Sequence, residues 1–176
     1  MEYFRTYSEA GEKGPLVARA EVHKNGLWHK AVQVLVFNRH KELLIQHRSD
    51  SKDLYAGLWD FSVGEHLLPD EDEAVGAVRG LHEELGVKGC PVAPLGEQLR
   101  IECRGDGFID REIQQSFYAL SEGPFSLDEE EVQAARFVGE GELSVWISER
   151  PEEFTPWFVE QWPARREHAV ALGLFG

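Results

Sequence analysis

A chain of 176 residues, 42% hydrophobic and 28% charged, is long enough to bury one core without staples and has the composition of an ordinary globular domain. Its net charge of −14 excludes a non-specific binder of nucleic acid or anionic membranes, since both require basic footprints. No apolar run approaches the length of a membrane span, and two cysteines without a signal peptide point to a reducing, cytoplasmic setting rather than a disulfide framework.

In chain order, residues 1–19 read as a partly irregular N-terminal extension, loosest near Ser8–Pro15, and residues 20–176 as a single domain. Ala31–Phe37 and Leu43–Gln46 are apolar runs flanking Asn38-Arg39-His40-Lys41, which predicts an antiparallel hairpin. Trp59–Val63 follows as a short strand. Further strands are predicted at Leu99–Cys103, Ile109–Leu120 and Ala134–Val138. Glu140–Ser148 and Thr155–Leu172 read as helices, the second opened by Thr155 as cap with Pro156 in its first turn. Interleaved strands and helices predict an α/β fold, a mixed sheet sandwiched between helices.

Between Gly64 and Val87 the chain reads as a loop, a capped helix and a stop. Asp70 is the predicted N-cap, with Glu73 completing a capping-box variant, and Gly86 ends the helix. Ala74, Val78, Leu81 and Leu85 recur at helical spacing as the expected buried stripe. Glu73, Ala77, Gly80 and Glu84 form a second, narrow stripe away from it. A glycine in mid-helix costs roughly 1 kcal/mol relative to alanine, so Gly80 predicts that something needs the room or a close approach there.

A second set of residues carries metal chemistry. His23 and His29 precede the first core strand, His66 lies in the loop before the helix, and Asp110 and Glu112 are two apart in a predicted strand, which points both to one face. Imidazoles with carboxylates suit Mn²⁺, Mg²⁺ or Zn²⁺.

The segment from Gly64 to Val87 resembles the Nudix box. Glu71, Arg79, Leu81, Glu83, Glu84, Gly86 and Val87 match the pattern in register, while Glu65 stands where it has its first Gly and Gly80 where it has a Glu. The resemblance implies a Nudix-type α/β/α sandwich. Over most of the chain, from Ala20-Glu21-Val22-His23 through Leu58-Trp59-Asp60, His66, Glu84 and Ile109-Asp110-Arg111-Glu112 to Thr155-Pro156-Trp157-Phe158, it is similar to the type I isopentenyl-diphosphate isomerases, a branch of that fold. That likeness implies a divalent metal held by His23, His29, His66, Asp110 and Glu112, and a second held by Glu84 against a diphosphate. It also implies Arg48 and Lys52 as diphosphate contacts and Trp157 as an aromatic of the isoprenoid pocket.

Moving a double bond requires two acid/base groups flanking the substrate. The isomerases place a cysteine just before the loop histidine, where this chain has Gly64, and Cys90 and Cys103 fall elsewhere. The leading expectation is therefore a hydrolase using Mg²⁺ or Mn²⁺ to cleave a diphosphate linkage in a small phosphorylated metabolite, with Glu83, Glu84, Glu65 and Glu112 as metal-binding or catalytic carboxylates. An isomerase-like enzyme, with Glu65 substituting for the thiol, and a non-catalytic diphosphate-binding module are the alternatives. No nucleic-acid or membrane partner is expected, and the oligomeric state, monomer or homodimer, stays open.

Overall fold

Residues 3–18 form a β-hairpin rather than an irregular extension. In the computed structural model, which describes residues 2–52, 54–105 and 107–175, β1 (Tyr3–Tyr7) and β2 (Lys13–Ala18) pair antiparallel. A helix of about two turns, α1 (Arg19–Asn25), leads to β3 (Trp28–Phe37), the ten-residue strand around which the sheet is built. Then come β4 (Leu43–Arg48), β5 (Trp59–Asp60), β6 (Val63–His66), α2 (Glu73–Leu85), β7 (Ala93–Pro94), β8 (Leu99–Gly105), β9 (Phe108–Leu120) and β10 (Val132–Val138). α3 (Glu140–Glu149), a 3₁₀ turn at Pro151–Glu153 and α4 (Pro156–Ala171) complete the order.

The sheet is mixed because β3 pairs in parallel with β9, from Trp28↔Arg111 to Phe37↔Leu120, and antiparallel with β6 and β1. The expected hairpin between β3 and β4 exists only at its turn, through Phe37↔Leu43, after which β4 leaves to pair with β10 and β5. Side-chain alternation on β3 explains the two cores. Leu35 and Phe37 face α3 and α4, whereas Val32, Val34 and Val36 face α2, and all five are buried. A strand covered on both faces reads as a continuous apolar run, as Ala31–Phe37 very nearly does. The fold is the α/β/α sandwich that the order of elements predicts.

Two details of α2 differ from the sequence pattern. Its N-cap is Asp72, whose carboxylate accepts from the Ala74 and Val75 N–H groups. Asp70 instead sits two residues earlier in a left-handed turn (φ 62°), with its carboxylate engaged by Arg5 and Lys13. The buried sector of the helix runs through Ala77, Gly80, Leu81, Glu84 and Leu85, so each expected stripe is buried only in its C-terminal part: Glu73 and Ala74 are half-buried and Val78 is 37% exposed. The reason is β6, which packs over Gly80. A Cβ at position 80 would lie 2.8 Å from Val63 Cγ1 and 3.2 Å from Glu65 Cβ. Gly80→Ala therefore gains roughly 1 kcal/mol of helix propensity and collides with a buried strand. The expected net result is destabilisation, read as a lower urea midpoint at unchanged slope; a midpoint at or above wild type would show that β6 is not pressed on the helix.

Candidate metal centre and cavity

Four elements bring the metal-ligand candidates together. α1 supplies His23, the start of β3 supplies His29, the end of β6 supplies His66, and β9 supplies Asp110 and Glu112. The parallel register of β3 and β9 sets His29 beside Glu112, and the antiparallel register of β3 and β6 sets Ala31 beside His66. One ligand atom from each of His23, His29, His66 and Asp110 lies within 4.8 Å of all the others. Asp110 Oδ1 is 3.4 Å from His29 Nε2 and 3.7 Å from His23 Nε2, and Glu112 Oε1 is 3.2 Å from His66 Nε2.

The state of these groups suits a cation. The Leu27 carbonyl lies 3.1 Å from His29 Nδ1 and can only accept, so Nδ1 carries the proton and Nε2 presents its lone pair inward. Burial holds the imidazoles below the ordinary histidine value, at about 4 for His23 and His66 and about 3 for His29. They are neutral donors at physiological pH. Burial pushes the Asp110 carboxyl upward, reinforced by the charge of Glu112, and burial likewise raises Glu112. The Nε2 atoms of His23, His29 and His66 and Asp110 Oδ1 are all buried without a hydrogen-bond partner. Buried polar atoms are seldom left so, and four of them converging on one point are what a divalent ion would satisfy.

This predicts a linkage. Carboxyls whose pKa is raised retain protons near neutrality in the metal-free protein and must release them to bind a cation, whereas the neutral imidazoles have none to release. Mn²⁺ affinity should therefore rise with pH between about 6 and 8, with binding heats that depend on the buffer's ionisation enthalpy. Buffer-independent heats and a flat affinity would contradict it.

The centre opens on a cavity of about 920 Å³, lined among others by His23, His66, Asp110 and Glu112 but not by His29. α2 and β6 also line the cavity, through Arg79, Glu83, Glu84, Gly64 and Glu65. Glu84, 5% exposed, accepts from Gln46 Nε2 at 2.9 Å, and burial with the neighbouring Glu65 carboxylate pushes its pKa up to about 8. Alternation on β6 puts Gly64 and His66 on the metal-centre face and Glu65 on the other, where its Cβ and Cγ cover Gly80. Glu65 Oε2 is 3.2 Å from Arg79 Nη1, and burial raises its pKa against that attraction. The two residues that depart from the box pattern thus lie against each other, and a carboxylate reaches the helix from the strand. Glu83, one residue from Glu84 but 100° around the helix, is about half exposed and paired with Arg79 at 2.9 Å. Arg79 also holds Glu71 and the His66 carbonyl, tying the helix to the strand that carries His66.

At the third wall, Arg48 donates to Asp60 and to the Leu54 carbonyl and lies over the Trp157 ring, while its Nε is buried and unpartnered. Lys52 is ion-paired with Glu131. Trp157 donates from its indole N–H to Asp60, which locks the ring in the wall. Cys103, which the sequence reading set apart from the site, lines this same cavity. β8 pairs it with Asp110 across to β9, and its sulfur is 3.3 Å from the Tyr55 hydroxyl. Burial raises the thiol's pKa, so it keeps its proton. Only the β8–β9 register reveals this residue; Cys90 is distant, near the Leu120 carbonyl.

Residues 27–158 match the model of the NUDIX domain. The chain is 41% identical over 148 residues to the isopentenyl-diphosphate Delta-isomerase of Dinoroseobacter shibae, covering 80% of this chain and 81% of that protein. It is 35% identical over 170 residues to Nudix hydrolase 3 of Arabidopsis thaliana, covering 90% of this chain but 22% of that longer protein. Among solved structures, the DR0079 protein of Deinococcus radiodurans superposes with a TM-score of 0.75 at 18% identity, over 94% of this chain and 98% of the other, a likeness of fold. Among the described residues no helix is long and apolar enough to cross a membrane. With the box helix, the mixed sheet and the domain match in agreement, the chain belongs to the Nudix family, and isopentenyl-diphosphate isomerases of the same fold are among its curated relatives.

Proposed function

We propose that this protein is a metal-dependent enzyme of the isopentenyl-diphosphate isomerase type, shifting a double bond in a short isoprenoid diphosphate. The observation that carries the reading is the convergence of three unpartnered imidazole nitrogens and a carboxylate oxygen beside a cavity that His23, His66 and Asp110 line. A centre of this composition is what the resemblance to the isomerases implies, and these relatives support that reading over the hydrolase first expected from Gly64. His23, His29, His66 and Asp110, with Glu112 beside His66, would hold a borderline ion such as Mn²⁺, and the oxygen-rich wall of Glu84 suits Mg²⁺. Such ions supply positive charge for diphosphate oxygens and fix the substrate's orientation.

The chain's own residues do the rest. Arg48 and Lys52 line the cavity and would supply cations to a diphosphate, and Trp157, Leu54 and Ile101 would offer an apolar wall to the hydrocarbon. Isomerisation adds a proton at one end of the alkene and removes another two carbons away, with no net gain of atoms. Glu112 is the base. Gly64 supplies no acid, and Glu65, which also lines the cavity, is engaged by Arg79 on the other side of β6. Cys103, still protonated and hydrogen-bonded to Tyr55, is the thiol in the wall and our candidate proton donor, beside the buried Glu65 and Glu84 carboxyls whose pKa values are also raised.

Hydrolysis is the second reading. It is favoured by the Glu65 carboxylate over Gly80, which puts an acid group beside Glu84 where the box helix has none. One experiment separates the two: incubate the Mn²⁺/Mg²⁺-loaded protein with isopentenyl diphosphate in heavy water and follow both deuterium uptake and released phosphate. Deuterium in the allylic isomer supports isomerisation. Phosphate or diphosphate release that Glu84→Gln abolishes supports hydrolysis and sinks the first reading. Ligand-induced thermal stabilisation with neither product leaves a binding module.

A further inference from the structure

The back of the metal centre is closed by a residue from the N-terminal hairpin. Phe4, on β1 and 2% exposed, packs on all three imidazoles. Its ring is stacked on His29 at 5.0 Å with 7° between planes, tilted on His66 at 4.7 Å, and 6.0 Å from His23. The three imidazoles are themselves 5.1–5.7 Å apart, so the four rings form one cluster. β1 is held there by its pairing with β3, where Thr6 lies opposite His29, and by its antiparallel partner β2. Neither Phe4 nor His29 reaches the cavity, whereas His23, His66 and Asp110 do. Phe4 and His23 both lie outside the stretch that matches the NUDIX domain, residues 27–158.

We propose that Phe4 is a positioning residue of the metal centre: its ring sets the planes of the three imidazoles so that their Nε2 atoms converge, and closes the side away from the cavity. The inference rests on the metal reading above. An imidazole is free to turn about its Cβ–Cγ bond unless something holds its plane. For His29 the Leu27 carbonyl does this from Nδ1, and the stacked phenyl does it over the whole face. An apolar ring cannot donate to or coordinate the ion, so it also keeps water from entering opposite the substrate. Any open coordination position then faces the cavity. A hairpin that the sequence marks as an extension becomes part of the centre.

The test uses Co²⁺ as a spectroscopic probe on the full chain. Phe4→Leu keeps an apolar side chain of similar volume and removes the ring; Phe4→Met does the same with a more adaptable chain, should the first fold poorly. Val17→Ala, on β2 in register with Phe4, loosens the same hairpin and leaves the stacked ring in place. Loss of an outer-shell partner lowers metal affinity by about 10- to 100-fold. The proposal expects that loss in the Phe4 variants together with an altered Co²⁺ visible spectrum, while Val17→Ala lowers thermal stability with the wild-type spectrum. Wild-type affinity and spectrum in a folded Phe4 variant overturn it, as does a spectral change of equal size in Val17→Ala. If the wild-type protein takes up no Co²⁺, the metal centre itself falls and the proposal with it.

Discussion

His29→Ala is expected to abolish metal binding at the histidine centre while leaving the fold. His29 is fully buried, sits behind the cavity, and is linked to the other ligands through Asp110 Oδ1 at 3.4 Å and through the ring cluster. Removing a group that merely orients a ligand costs about 10- to 100-fold in affinity, so deleting a ligand itself should cost more than about 100-fold. The cavity left behind destabilises the protein as well, by an amount typical of a lost buried side chain, about 2–4 kcal/mol. The two effects are separable. Metal affinity by titration reports the first, and urea unfolding in chelator reports the second. A His29→Ala protein that retains Mn²⁺ at wild-type affinity would show that the imidazoles are packed for reasons other than metal.

The second large effect concerns the proposed proton donor. Cys103→Ala should lower deuterium-tracked isomerisation by about 10²- to 10⁴-fold, the range general acid–base groups contribute, without changing metal affinity. The thiol is partly buried, and its only hydrogen-bond contact among the described residues is Tyr55, so truncation removes little packing. Position 64 offers a complementary test. A Cβ added to Gly64 meets nothing within 4 Å and would project on the same face of β6 as His66. Gly64→Cys in the Cys103→Ala background should therefore recover isomerisation if a thiol in this cavity is what the reaction needs. Undiminished turnover in Cys103→Ala would remove the cysteine from the mechanism.

Much of this arrangement was legible in the sequence, for reasons particular to each part. α2 could be read because its stop, Gly86, and its Leu81/Leu85 spacing are local signals, and Asp110 and Glu112 because a strand's period of two is obeyed within three residues. The hairpin β1–β2 could not. Its strands are short and broken by Gly14 and Pro15, and β1 is ordered by β3, more than twenty residues away, rather than by its own pattern. The helix cap fell two residues from its expected place because two aspartates compete there, and distant Arg5 and Lys13 decide which one turns outward. Gly80 announced that something approaches the helix, but only the packing of β6 shows that Glu65 is the neighbour. Cys103 stayed hidden because its placement follows from strand register, and register is a tertiary property.

The proposed metal centre is the element on which the rest depends: its histidine and carboxylate cluster joins the N-terminal hairpin, α1, β3, β6 and β9, and it opens on the wall that carries Arg48, Trp157 and Cys103. A crystal structure of the Mn²⁺-loaded protein, with anomalous scattering to place the ion, tests this most directly. The expected result is an ion bonded to Nε2 of His23, His29 and His66 and to Asp110, with an open position toward the cavity. An ion held only by Glu83 and Glu84, with the three imidazoles free of metal, would contradict it.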